Sequence, residues 1–107
     1  MSESVAVLVR KISYIDIDEV FVGEVEIDID DDRLNDFQRS LGHRIKMTLR
    51  LKGDPNNSFT QIREDFIREA ESLLSISGNH LSNKDWTELN RINSAVYKER
   101  DERITSV

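Results

Sequence analysis

Two stretches of the chain alternate apolar and charged residues with period two, and their charges have opposite sign. In Phe21–Asp30 the odd positions are apolar except Gly23, and from Glu24 onward the even positions are all acidic. In Arg44–Lys52 the odd positions are again apolar and the even ones basic, except Thr48. Strict alternation marks strands with one buried and one wet face. A third segment, Val5–Ile15, is also strand-like, but its parity is broken: Val5, Val7 and Val9 lie on one face and Ala6, Leu8 and Ile12 on the other, so both faces of its first half are apolar. That suits a central strand, or one partly covered by another chain. Asp16–Glu19 reads as the turn joining the first two strands into a hairpin, because Asp is disfavoured in strands and favoured in turns.

Other segments carry the helical period. Asp31–Gly42 is expected to be a short helix: Asp31 or Asp32 caps it, Leu34, Phe37 and Leu41 share a face, Arg39 lies near its end and Gly42 fits the position just past it. Gly53-Asp54-Pro55-Asn56-Asn57 is a loop. Ser58 with Gln61 forms a capping box that opens a helix to about Ser77, with Phe59, Ile62, Phe66, Ala70, Leu73 and Leu74 as its stripe and Gly78 as its stop. Ser82 with Asp85 resembles a second box, with Leu81 stapling onto Trp86. Leu89, Ile92 and Val96 then carry a stripe to about Arg103.

These elements predict one α+β domain over residues 1–107: a three-stranded, mainly antiparallel sheet with two C-terminal helices packed on one face. An uncovered three-stranded sheet would not be stable. The inward set is Phe21, Val25, Ile27, Ile29, Ile45, Met47, Leu49 and Leu51 against Phe59, Ile62, Phe66, Leu73, Leu89, Ile92 and Val96. Strand order stays open, since the connection 31–43 is long enough for a parallel crossover. The doubly apolar Val5–Val9 and the two open sheet edges favour self-association, and a homodimer is the commonest form of it. The competing arrangement makes the first strand central and covers it with the Asp31–Gly42 helix.

Composition narrows the class. Hydrophobic residues make up 37% and charged residues 34% of the 107, against about 45–50% and about 25% in typical domains. The apolar positions are periodic, so the chain is expected to fold. It has no cysteine, hence no disulfide framework, thiolate zinc site or thiol nucleophile. No apolar run approaches the roughly 20 residues of a membrane span. Met1-Ser2-Glu3-Ser4 lacks the basic start of a signal peptide, and Arg10-Lys11 interrupts the first apolar run, so a cytoplasmic location is expected.

A net charge of −6 disfavours non-specific binding to nucleic acid or anionic lipid. Its distribution is uneven. Asp16 to Asp36 holds ten acids and one Arg, a local net of −9, whereas Arg39 to Lys52 holds five Arg/Lys and no acid. Across neighbouring strands the two blocks can neutralise each other, but five cations cannot match ten acids. The surplus makes the acidic segment the expected partner surface, centred on Glu24, Glu26, Asp28 and Asp30 and continuing through Asp31 and Asp32. The expected partner is another protein with a basic surface.

Candidate chemistry is sparse. Asp28, Asp30 and Asp32 match positions one, three and five of a calcium loop, but Arg33 replaces the required Gly and Arg39 the required Glu. His43 and His80, the only histidines, lack a helical i, i+4 partner. The four glycines build no phosphate loop, and Ser72, Ser75 and Ser77 form no nucleophile elbow. Arg44, Lys46, Arg50 and Lys52 could meet phosphates, but no exposed aromatics interleave them and the acidic block opposes a polyanion. Thr105-Ser106-Val107 fits a loose peptide-recognition ending that short sequences match by chance. The expectation is a non-enzymatic interaction module (adaptor, regulator or inhibitor) with no catalytic residue, metal, cofactor, direct nucleic-acid contact or membrane association. Two alternatives remain. The acidic row, repeating every ~6.8 Å, could mimic a phosphate backbone and inhibit a nucleic-acid-binding protein, or the chain could be a small enzyme using His43 or His80.

Overall fold

The computed structural model describes residues 4–36 and 42–105. Three strands form, β1 (Val5–Ile15), β2 (Val20–Asp30) and β3 (Gly42–Lys52), as an antiparallel sheet in the order β1-β2-β3. Two C-terminal helices follow, α1 (Phe59–Leu81) and α2 (Trp86–Thr105). The fold is the expected α+β class, and the simple strand order rules out a parallel crossover. The chain gathers into two compact units, residues 1–73 and 74–107, with the boundary inside α1.

The first unit holds the sheet and the first part of α1. Alternation turns Phe21, Val25 and Leu49 toward Ile62, Phe66 and Ala70 of the helix, and these six make the core. Val9, Ile12, Tyr14, Ile27, Met47, Leu51 and Leu73 pack around them half-buried. Each fully buried large side chain stabilises by roughly 1.5–3 kcal/mol. Gly23, the break in the apolar alternation of β2, has a packing reason. A Cβ there would lie 2.9 Å from Cζ of the fully buried Phe66 and 3.3 Å from Ile12. On the strands, Phe21, Val25, Ile27, Met47, Leu49 and Leu51 of the expected inward set join the core or pack against it, while Ile29 and Ile45 are half-buried outside it. Phe59 departs from it: the ring is largely exposed, with the Arg63 guanidinium 4.5 Å above it as a cation–π pair.

The central strand is β2, so the doubly apolar β1 is an edge strand. It pairs with β2 from Val5↔Ile29 to Ile15↔Val20 with one irregularity. Between Arg10↔Glu24 and Ser13↔Val22, both Lys11 and Ile12 face Gly23. Lys11 takes a φ of 58° there. This is a β-bulge, one extra residue that ends the regular first half of the strand.

The expected helix at Asp31–Gly42 is corrected. Residues 32–34 form a turn, with Leu34 N–H bonded to the Asp31 carbonyl at 2.9 Å, and no helix follows through residue 36. The Asp31 carboxylate folds onto the N–H and side chain of Arg33 instead of capping a helix. Gly42 opens β3, where a Cβ would run into the Ile29 carbonyl oxygen. Phe37, Arg39 and Leu41 lie outside the described residues.

Helix α1 begins as its sequence predicts, with Ser58 Oγ accepting from Gln61 N–H at 3.1 Å. The Gln61 amide turns away to donate to Asp65 at 2.9 Å, so the box is one-sided. Gly78 does not stop the helix, which runs on to Leu81. A glycine within a helix costs about 1 kcal/mol, too little to end one by itself. The break comes at Asn83, whose φ of 61° is the left-handed conformation that closes helices.

The second unit holds the end of α1 and α2. Asp85 is the cap of α2, its Oδ1 accepting from Glu88 N–H at 2.9 Å, so the box begins at Asp85 rather than Ser82. None of the described residues of α2 is fully buried. Leu89 and Ile92 are half-covered, whereas Val96, Leu81 and Trp86 are exposed. Among the described residues, no helix is long and apolar enough to cross a membrane.

Candidate interaction surface

The even-numbered residues of β2 stand on the sheet face opposite α1. Because β2 is central, each acid there has a neighbour on either side. In register, Glu24 lies between Arg10 and Thr48, Glu26 between Leu8 and Lys46, and Asp28 between Ala6 and Arg44. The cations lean diagonally. The Arg10 guanidinium meets Glu26 Oε2, and Arg44 Nε lies 3.1 Å from Glu26 Oε1 and 2.8 Å from Asp28 Oδ1. Glu24 sits 3.5 Å from Lys11 Nζ and 3.9 Å from Lys46 Nζ. Glu26 is 2% exposed. A carboxylate this buried is tolerated only when paired, and two arginines pair it.

Asp31 is held at the start of the next connection. Arg33 Nη2 and Nε approach its two oxygens at 2.8 and 3.0 Å, and His43 Nε2 lies 2.9 Å from Oδ2. The hydrogen bonds from Arg33, and then from His43, hold its carboxyl well below the usual carboxylate range. The same partnership raises the Arg33 guanidinium. Asp30 accepts from Asn35 Nδ2 at 3.3 Å, and Asp32 is exposed.

The six residues expected to face a partner therefore differ. Glu26 is buried, Glu24 is mostly covered, Asp28 is paired and Asp31 is engaged on two sides, while Asp30 is half-buried and only Asp32 is open. The expected open row is largely an internal ladder, and Glu26 has no surface to offer. Arg10 and Lys11 account for the difference. Both lie on the hairpin partner of the acidic strand, so the acids draw cations from β1 as well as from the basic β3.

The histidines stay apart. His43 is exposed beside Asp31; His80 is exposed near the end of α1, its carbonyl accepting from Lys84 Nζ at 2.6 Å. Among the described residues, no group of three or more His, Asp or Glu is placed to hold a metal.

Three further acids lie together at the β1–β2 turn. Glu19 N–H bonds to the Asp16 carbonyl at 3.3 Å, with Glu19 at a φ of 55°. Asp16, Asp18 and Glu19 are all exposed, and no described Lys or Arg lies within ion-pair distance of them. Ile17 at the apex is 93% exposed. Tyr14, edge-on to Phe21 with ring centroids 4.9 Å apart, registers the local field. Its hydroxyl pKa is raised by desolvation first, then by the charges of Glu19, Asp16 and Asp54. In comparisons with known proteins, no family model, curated protein or solved structure matches this chain.

Proposed function

We propose that the protein is a small non-enzymatic interaction module that binds a partner with a basic surface, and that the β1–β2 turn makes the first contact. The observation that carries this reading is Ile17, bare at the apex of a hydrogen-bonded turn among three unpaired carboxylates. A lone exposed isoleucine is ordinary. One ringed by uncompensated charge offers an apolar anchor together with a field that steers cationic partners and raises their association rate. A cysteine-free chain suits action in the reducing cytoplasm.

The test is capture from the native host's lysate, followed by on-rate measurement on whatever the wild-type protein retains. Reversing Asp16, Asp18 and Glu19 to Lys should cut the on-rate at least tenfold, leave the melting temperature nearly unchanged and remove the salt dependence of binding. Glu26→Lys should do the opposite, lowering the melting temperature by placing a third cation between Arg10 and Arg44. An unchanged on-rate for the turn variant removes the reading.

The phosphate-mimic alternative draws on Glu24, Glu26 and Asp28, whose charges are already met by arginine and lysine. The enzyme alternative draws on His43 and His80, of which only His43 has a carboxylate beside it. Neither has an observation that favours it over the turn.

A further inference from the structure

The two edges of the sheet differ in how they are protected. β3 carries Arg44, Lys46, Arg50 and Lys52, all exposed, and charge of this kind keeps strands from adding to an edge. β1 has no such guard before Arg10. Val5 is 53% exposed, Val7 48% and Leu8 46%.

The phase of the open edge follows from one hydrogen bond. Asp30 N–H donates to the Ser4 carbonyl at 2.9 Å, so the main chain of Ser4 faces β2. Main-chain direction alternates along a strand. Ala6, Leu8 and Arg10 therefore also face β2, and Val5, Val7 and Val9 turn their N–H and C=O groups to the open edge. The bulge at Lys11 closes the regular stretch after Arg10. The stretch from Ser4 to Arg10 has Val7 at its midpoint.

We propose that this edge pairs with the same edge of a second copy of the chain, antiparallel, about a two-fold axis at Val7. In that register Val7 exchanges both main-chain bonds with the second copy's Val7, and Val5 does so with the second copy's Val9. All three outward-facing residues are used. Arg10 lies opposite the second copy's Ser4, so no like charges meet. Moving the axis to Arg10 would set arginine against arginine, and moving it to Leu8 would push Val5 against the bulge. The exposed valines of the two copies then adjoin on one face. The pairing is independent of the acidic turn, which lies at the other end of β1.

The chain's lack of cysteine makes the test direct. Sedimentation equilibrium of the full chain at micromolar concentration should give twice 12.4 kDa. Under mild oxidation Val7→Cys should cross-link to itself, because directly opposed residues of a hydrogen-bonded pair stand about 5.5 Å apart at Cα, within disulfide reach. Val5→Cys should not, because its counterpart is displaced four residues along the strand. Val7→Lys, at a half-exposed position, should keep the wild-type circular dichroism and sediment as one chain. A wild-type mass of 12.4 kDa overturns the proposal and leaves the edge to a strand from another protein. A dimer that cross-links equally through Val5→Cys, or not at all through Val7→Cys, overturns the register.

Discussion

Gly23 and Asp31 show how much rests on single positions. Phe66 reaches its fully buried site only because residue 23 has no side chain. The ring cannot retreat, being enclosed by sheet and helix, so Gly23→Ala should destabilise the first unit by about 1–3 kcal/mol, the usual cost of overfilling a core. Chemical denaturation of the two proteins measures it, and a smaller loss would mean that the ring shifts freely. Asp31 acts through charge. Arg33 and His43 depress its carboxyl below the usual 3.8, so the folded state binds its proton less readily than the unfolded one. The stability this contributes is complete above the usual value, starts to fall as pH drops through it and is gone below the depressed value. Wild type should therefore melt above Asp31→Asn at neutral pH, and the gap should narrow as pH falls below about 4. Melting curves across that range decide it; a constant gap would place the benefit in shape rather than charge.

At the scale of elements, parity is the strongest constraint. Leu49 is buried on the helix-facing side of β3, and Thr48, one residue earlier, is exposed opposite Glu24. Leu49→Lys buries an unpaired ammonium and should unfold the first unit, since that cost rivals a typical folding stability of about 5–15 kcal/mol. Thr48→Lys adds a cation beside Glu24 and should leave the melting temperature equal or slightly higher. Circular dichroism of the pair tests the face assignment. The strands were legible because burial on one side imposes period two, and the turn at Asp16–Glu19 and the Ser58 cap because Asp and Ser solve local hydrogen-bonding problems. The errors arose where one residue type serves two purposes. Asp31 and Asp32 look like helix caps, yet Asp31 binds Arg33 and His43. Gly78 looks like a helix stop, yet it sits inside α1. The bulge showed in the sequence only as broken parity, and it brings Ile12 onto the face of Val9 rather than the opposite one; it was hard to place because Lys11, not glycine, takes the positive φ. The register across it decides that Arg10 meets Glu26, so the ladder's second side was hidden too.

At the scale of the whole molecule, burial is concentrated in residues 1–73. Every fully buried described residue belongs to that unit, and α2 has none. Local stability follows buried contacts. Amide exchange should therefore be slowest at Val25, Leu49 and Phe66, and faster by roughly a hundredfold or more along α2, although both regions are fully hydrogen-bonded. Equal protection would show the units opening together. The unlike edges of the sheet have a different consequence, for growth. A sheet with two bare edges can extend indefinitely, each added chain presenting a fresh template, and that is the route to filaments. Here the row Arg44, Lys46, Arg50 and Lys52 lines one edge, so two such edges brought together would face each other with like charge. Any pairing that starts on the apolar edge consumes the sole inviting side and ends there. The basic strand that balances the carboxylates within one chain would also act as a terminator, holding such a pairing to two copies.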